Sequence, residues 1–250
     1  MNPSLSLELM RLKLNLSNCI QAVLIDRKEV DELEKLGYSV LTYRWIFDPI
    51  TLESSNRLSI YVCKDREKAL KILKKIEALE LNPTLENLRK IIELEGKLLG
   101  YPRCCVRKFS RLKVERKNPE ARIIEECIEK GIFEEILRFY PKPNPDKALS
   151  LFTSNFYPCK LNCKKAYEIG KKLVDNNPNY RYKVVLNVLN LLAPVFEIYK
   201  NFREPKTNFG KLVFSFVESL GDLRSKAESI VNEYTNNPIK FEMDYLKRYA

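Results

Sequence analysis

Two pairs of cysteines are the residues of this chain whose types and spacing could support chemistry. Cys104 and Cys105 are adjacent, and Cys159 and Cys163 are four positions apart. Each pair closely follows a Tyr-Pro step, and a proline is favoured at the first position of a helix. The thiols would then lie in the first turns of two helices, where unpaired N–H groups and the helix dipole stabilise a thiolate. Two such helix starts facing each other would form a four-thiolate site.

The spacing of the cysteines bears on which metal such a site would hold. Neither pair has the C-x-x-C spacing that is common in structural zinc sites. Iron–sulfur ligation by four thiolates tolerates more varied spacings. We therefore expect a metal or iron–sulfur site, with a 4Fe-4S cluster as first choice and zinc as second. A radical-SAM motif is disfavoured because its third cysteine would fall at Ala166.

Two other interpretations of the cysteines stay open. One is thiol and disulfide chemistry, in which a bridge would join the two pairs, for example Cys105 to Cys159. The other is a structural role, because thiols one turn apart on an apolar helix face are also typical of a core. The remaining cysteines, Cys19, Cys63 and Cys127, are interpreted as packed core residues.

The directions of the adjacent Cys104 and Cys105 side chains affect how many ligands the site can have. At about 100° per residue, Cys104 shares a helix face with basic residues, and Cys105 shares one with apolar residues. The two side chains are therefore expected to diverge. A three-ligand site, or a reactive thiolate at Cys104, would be the consequence.

The positive charge of the chain lies around the cysteines. The chain has 44 basic and 33 acidic residues, a net charge of +11. Residues 101–118 hold seven basic residues against one acidic, and residues 160–183 hold seven against two, so the rest of the chain has 30 of each sign. Such a distribution favours an anionic substrate or RNA as partner, although a solvated lysine-rich face has the same composition. The candidate anion-binding residues are Arg103, Arg107, Lys108, Arg111, Lys164, Lys165, Lys171 and Lys172, and the candidate base-stacking residues are Tyr101, Tyr157 and Tyr167.

Composition excludes several other chemistries. The chain contains no histidine, which excludes catalytic triads and proton shuttles that need one. Its seven glycines form neither a phosphate loop nor a dinucleotide-binding fingerprint. The first residues lack the apolar run of a signal peptide, and no segment has the roughly 20 apolar residues needed to span a bilayer, so we expect a cytoplasmic protein. Abundant Lys, Glu and Ile with one glutamine indicate a thermophile.

The pattern of apolar residues predicts an α+β fold. Strands are expected over residues 22–25, 38–46 and 58–63, with turns at Asp48-Pro49 and at residues 54–56, and helices over 27–36 and 65–79. Helices are then expected over 85–99, from 102 onward, and over 119–130, 133–139, 160–174, 180–202, 209–233 and 239–249. These elements predict a small N-terminal α/β domain at residues 1–80, followed by a mainly α-helical bundle at 81–250 that carries the cysteines.

The two cysteine blocks, Gly100-Tyr101-Pro102-x-Cys104-Cys105-Val106 and Phe152-Thr153-Ser154-x-Phe156-Tyr157-Pro158-Cys159-x-x-x-Cys163, also carry a resemblance. The chain resembles an archaeal family of uncharacterised proteins, catalogued as domain of unknown function 483, over roughly residues 84–200. The resemblance implies that the two blocks act as one unit. It assigns no reaction and says nothing of the N-terminal segment, so an enzyme and a metal carrier are equally compatible with these residues.

Overall fold

A computed structural model describes residues 3–22, 25–46, 55–201 and 205–249. These residues form twelve α-helices and a three-stranded antiparallel sheet, which confirms the α+β class. Contacts between Cα atoms divide the chain into two compact units, residues 1–117 and 118–250. The first unit includes helices that follow the predicted domain boundary at residue 80. The boundary at residue 80, as the end of an independently folding domain, stays a prediction.

The first unit is built from five helices and the sheet. The elements are α1 (Pro3–Lys13), β1 (Cys19–Ala22), α2 (Arg27–Lys35), β2 (Ser39–Arg44), β3 (Leu58–Cys63), α3 (Arg66–Glu80), α4 (Leu85–Leu98) and α5 (Arg103–Val114). The strand order is β1-β3-β2, and both pairings are antiparallel. The predicted turn at Asp48-Pro49 lies outside the described residues.

The sheet of the first unit has a core on each face, because alternate residues of a strand point to opposite sides. Val62 packs on one side with Leu9 of α1 and Leu33 of α2. Its neighbour Tyr61 packs on the other side, with apolar residues of α3 and α4 such as Ile91. The sheet therefore fixes the position of α4 and α5, which carry the first cysteine block.

Cys19 and Cys63 form a disulfide, so the interpretation of these two cysteines as packed thiols was wrong. They are 44 positions apart in the chain, but they lie directly opposite each other in the register of β1 and β3, with a Cα–Cα distance of 4.1 Å. Local sequence does not reveal such a cross-strand pair. Cys127 is a buried thiol, as expected.

The second unit is a bundle arranged around one long apolar helix, α9 (Tyr180–Asn201). The other helices of the unit pack against α9 or against one another. They are α6 (Pro119–Glu129), α7 (Ile132–Phe139), α8 (Lys164–Asn176), α9 (Tyr180–Asn201), α10 (Asn208–Ser219), α11 (Leu223–Asn236) and α12 (Pro238–Tyr249), with a 3-10 turn at Asp146–Ala148. The single helix predicted over residues 209–233 is two helices, separated at Gly221, which has a φ of +49°.

Among the described helices, α9 passes a test of length and hydropathy for crossing a membrane. However, 67% of its most apolar 18-residue window is buried inside the protein. Asn187 and Lys183 on this helix are also buried, and the Asn187 amide donates to the Leu151 carbonyl at 2.8 Å. These contacts are those of a core helix, as predicted.

Candidate functional site

The first cysteine block begins at a sharp turn between α4 and α5. The N–H of Tyr101 donates to the carbonyl of Gly96 at 2.9 Å, and the N–H of Gly100 donates to that of Lys97 at 3.3 Å. This is the bonding of a Schellman cap, which requires a left-handed residue just past the helix end. Gly100 supplies it with a φ of +71°. The chain then passes through Pro102, the N-cap residue, into α5.

A buried arginine holds this turn. Arg11 of α1 is only 2% exposed, donates to the carbonyl of Leu99, and lies over the ring of Tyr101 at 5.3 Å from its centroid. It also pairs with Glu8 at 3.3 Å. Helix α1, which the sequence pattern did not predict, therefore fixes the approach to the cysteines.

Cys104 and Cys105 are the second and third residues of α5, and their side chains do not diverge as expected. Their sulfur atoms lie 3.8 Å apart, although Cys104 is exposed and Cys105 is buried. The Cα–Cβ bonds of a helix tilt toward its N-terminus, and the first turn has no preceding turn to separate the two side chains. The expected difference in exposure is confirmed, whereas the expected difference in direction is wrong.

The second cysteine block is a loop rather than a helix start. Helix α8 begins at Lys164, four residues later than predicted, with Cys163 as its N-cap residue. Cys159 lies before it in irregular structure, and the N–H of Cys163 closes a turn on the carbonyl of Lys160 at 2.9 Å. Pro158 therefore does not begin a helix.

The loop that precedes α8 is bound by two side chains of α6. Arg122 donates to the carbonyl of Pro158 at 2.6 Å, and the N–H of Leu161 donates to the carboxylate of Glu126 at 2.7 Å. Arg122 and Glu126 also pair with each other at 2.5 Å. These contacts hold the backbone on both sides of Cys159 in the irregular conformation that precedes α8. We call Arg122 and Glu126 the α6 clamp.

The chain leading into the second block is held by α8 and α9. The hydroxyl of Tyr180 donates to the carbonyl of Phe152 at 2.9 Å, and the rings of Phe152 and Phe156 lie 5.0 Å apart. Gly170 of α8 lies against Leu149, whose carbonyl carbon would be 2.7 Å from a Cβ at that position. Only glycine permits this close approach.

The structure brings the four predicted cysteines together. One sulfur atom from each of Cys104, Cys105, Cys159 and Cys163 lies within 4.8 Å of all the others. Cys105 and Cys163 are buried, Cys159 is half-buried and Cys104 is exposed. All four are thiols, so the bridge considered between Cys105 and Cys159 is not formed. Such a group of thiols could bind a metal ion.

The predicted anion-binding residues lie mostly at the surface. Lys108 is half-buried, and the other seven are exposed. Arg111 pairs with Glu115 at 3.6 Å and Lys171 with Asp175 at 2.8 Å. Within the described parts of the chain, the remaining six make no ion pair: Arg103, Arg107, Lys108, Lys164, Lys165 and Lys172.

The three tyrosines proposed to stack on bases are all half-buried. Tyr101 has Arg11 over its ring. Burial, followed by the nearby charge of Glu120 and a hydrogen bond to it, raises the pKa of Tyr157 above its ordinary value. Tyr101 and Tyr157 therefore have structural contacts in place, which leaves Tyr167 as the candidate whose contacts do not conflict with stacking.

Comparison with known protein families finds one family whose match includes both cysteine blocks. A family model described as "Protein of unknown function (DUF483)" matches residues 57–193, more than half of the chain. The chain belongs to this family. No curated protein and no solved structure matches the chain.

The DUF483 match includes all four clustered cysteines and the α6 clamp. It begins at residue 57 rather than near 84, so it also includes β3 and α3, which the resemblance did not cover. The archaeal origin implied by the resemblance stays a prediction.

Sequence reasoning found the four cysteines but missed the side chains that position them. Arg122 and Glu126 have the i, i+4 spacing of an ordinary surface ion pair. Nothing in that spacing indicates a contact with residues 158–161. The burial of Arg11 was not predicted either, because a single arginine in an N-terminal segment gives no local sign that it will be buried.

Proposed function

We propose that this DUF483 protein binds a single tetrahedral metal ion, with zinc as first choice, through Cys104, Cys105, Cys159 and Cys163. The observation that supports the proposal is the sulfur spacing. Ligands at a Zn–S distance of about 2.3 Å around a tetrahedral ion lie about 3.8 Å from one another. The sulfur atoms of Cys104 and Cys105 are 3.8 Å apart, and every pair in the group lies within 4.8 Å.

The same spacing reverses the order of cofactors expected from the sequence. In a 4Fe-4S cluster each thiolate binds a different iron atom on the outside of the cluster, so the sulfur atoms must spread further apart than around one ion. Thiols gathered as closely as these favour one ion. An iron–sulfur cluster is therefore the second choice.

The donor set favours a structural centre. Four protein thiolates fill the coordination of zinc, whereas catalytic sites keep one position open for water or substrate. Four thiolates around a divalent ion also leave a net negative charge. Lys164, which directly follows Cys163 at the start of α8, offsets part of that charge.

Metal analysis tests the proposal directly. The full chain is purified anaerobically, and zinc, iron and acid-labile sulfide are measured for each protein molecule. We expect one zinc per chain and, after exchange with cobalt, the intense thiolate-to-metal charge-transfer absorption of a tetrahedral centre. Iron with labile sulfide would replace the zinc assignment with the cluster. A protein without either would contradict metal binding.

Cysteine variants identify the ligands. Cys105→Ser and Cys163→Ser should each lose bound metal. Cys127→Ser is the matched control, because Cys127 is a buried thiol outside the group and burial raises its pKa to about 12. Equal metal loss in the control and in the ligand variants would count against the assignment.

RNA binding is the second candidate function, and the exposure of the basic side chains on α5 and α8 supports it. It predicts that affinity for transfer RNA falls steeply with salt, because each phosphate contact releases a counterion. Charge reversal at Arg107 and Lys165 should then flatten the salt dependence. Weak binding whose salt dependence is unchanged by these reversals would exclude RNA binding.

A further inference from the structure

The first unit contains a groove that the metal site does not use. It lies between α3, α4 and the beginning of α5, and its volume is about 930 Å³. A volume in this range is typical of small-molecule sites. Apolar side chains of all three helices line it, including Leu79, Leu94 and Val106.

The polar lining of the groove is mostly basic. Lys75, Lys97, Arg103 and Arg107 line it, are exposed, and make no ion pair with a described residue. Two further charged residues of the lining are neutralised within α4: Lys90 pairs with Glu86 at 2.8 Å, and Glu93 pairs with Arg89 at 3.2 Å. The groove therefore combines an apolar surface with four uncompensated positive charges.

The beginning of α5 adds to the positive electrostatic potential of the groove. Gly100, Tyr101 and Arg103 line the groove, so the N-terminal end of the twelve-residue helix α5 forms part of it. The first N–H groups of a helix and its dipole attract anions. This contribution has the same sign as the four basic side chains.

We infer that the groove binds a nucleoside polyphosphate. Several positive charges match the several charges of a di- or triphosphate, and arginine side chains form paired hydrogen bonds with phosphate oxygens. The apolar lining matches the planar base, which inorganic phosphate lacks. The inference goes beyond the metal proposal and does not depend on it.

Calorimetric titration of the full chain with ATP tests the inference, with inorganic triphosphate and adenosine as comparison ligands. ATP should bind at least about tenfold more tightly than either, because only ATP has both the charge and the base. Triphosphate binding as tightly as ATP would reduce the groove to a nonspecific anion surface. Tighter binding of dodecyl phosphate than of ATP would overturn the nucleotide assignment in favour of a lipid-like phosphate.

Paired charge reversals separate the groove from the general charge of the protein. Lys75→Glu with Lys97→Glu should weaken ATP binding by about tenfold or more. Lys71→Glu with Lys74→Glu makes the same change in net charge at exposed positions of α3 that do not line the groove. Equal loss of ATP affinity in the two double variants would refute a specific site. Unchanged metal content in both variants would show that metal binding does not depend on the groove.

Discussion

At the scale of single residues, Gly100 has two structural roles. Its φ of +71° is in the left-handed region, and a Cβ at this position would lie 2.7 Å from the Cα of Ser17. It therefore both ends α4 and allows the segment after α1 to approach the turn that begins the first cysteine block. A side chain of any size would disturb both features.

We predict that Gly100→Ala is more destabilising than the same change at Gly37. Gly37 also has a positive φ, +81°, but no atom lies within 4 Å of the position that a Cβ would occupy there. Gly37→Ala should cost about 1–2 kcal/mol for the backbone conformation alone. Gly100→Ala should cost about 3 kcal/mol or more, because steric displacement adds to that cost. Urea unfolding of both variants measures the difference, and equal losses would show that the close approach at Gly100 is unimportant.

At the scale of elements, the α6 clamp holds the loop that precedes α8. Its two side chains hold the backbone at Pro158 and Leu161, on either side of Cys159. Groups that orient metal ligands without touching the metal commonly affect affinity. The clamp is therefore expected to matter for the metal although neither residue is a ligand.

We predict that Glu126→Ala weakens metal binding by about tenfold to a hundredfold. The N–H of Leu161 would lose its acceptor, and the loop that carries Cys159 would lose its fixed conformation. Glu126→Gln keeps an oxygen acceptor and should recover most of the affinity. Glu129→Ala, an exposed position on the same helix, is the control. Competition with a chromogenic chelator gives the affinities, and a loss in Glu126→Ala no larger than that in Glu129→Ala would rule out the clamp.

The pairing of β1 with β3 leads to a separate prediction about stability. The disulfide between Cys19 and Cys63 closes a loop of 44 positions. Replacing both cysteines with alanine should lower the free energy of unfolding by about 4 kcal/mol, because the unfolded chain regains the entropy of the open loop. Metal content should not change, since neither residue belongs to the thiol group. A double variant that loses its metal would instead link the disulfide to the site.

At the scale of the whole molecule, local signals predicted most elements, and contacts distant in sequence explain the errors. Helix α2 was predicted from local sequence, and it has an N-cap at Asp26 and a glycine with positive φ, Gly37, just past its end. The loop that replaces the predicted start of α8 is held by side chains of α6, some 35 residues earlier in the chain. The disulfide depends on strand register. The four cysteines were recognisable by residue type, but their gathering at one point is a property of the fold.

Buried and half-buried tyrosines give the last prediction, a loss of stability at alkaline pH. Tyr61 is fully buried and donates to Glu95 at 2.8 Å; burial first, and then the charge of Glu95, raises its pKa well above the ordinary value. Burial raises the pKa of Tyr101 as well, and burial with the nearby Glu242 raises that of Tyr234 to about 12.

The sign of the effect follows from proton binding. Above about pH 10 the unfolded chain releases these phenolic protons while the folded protein keeps them, so the unfolded state binds fewer protons and stability falls as pH rises. Each such tyrosine contributes a slope of up to about 1.4 kcal/mol per pH unit. Urea unfolding between pH 8 and 11 should show the steepest decrease in stability above about pH 10. Tyr61→Phe, which keeps the ring but has no proton to release, should reduce the slope, and an unchanged slope would mean that Tyr61 does not contribute to the alkaline transition.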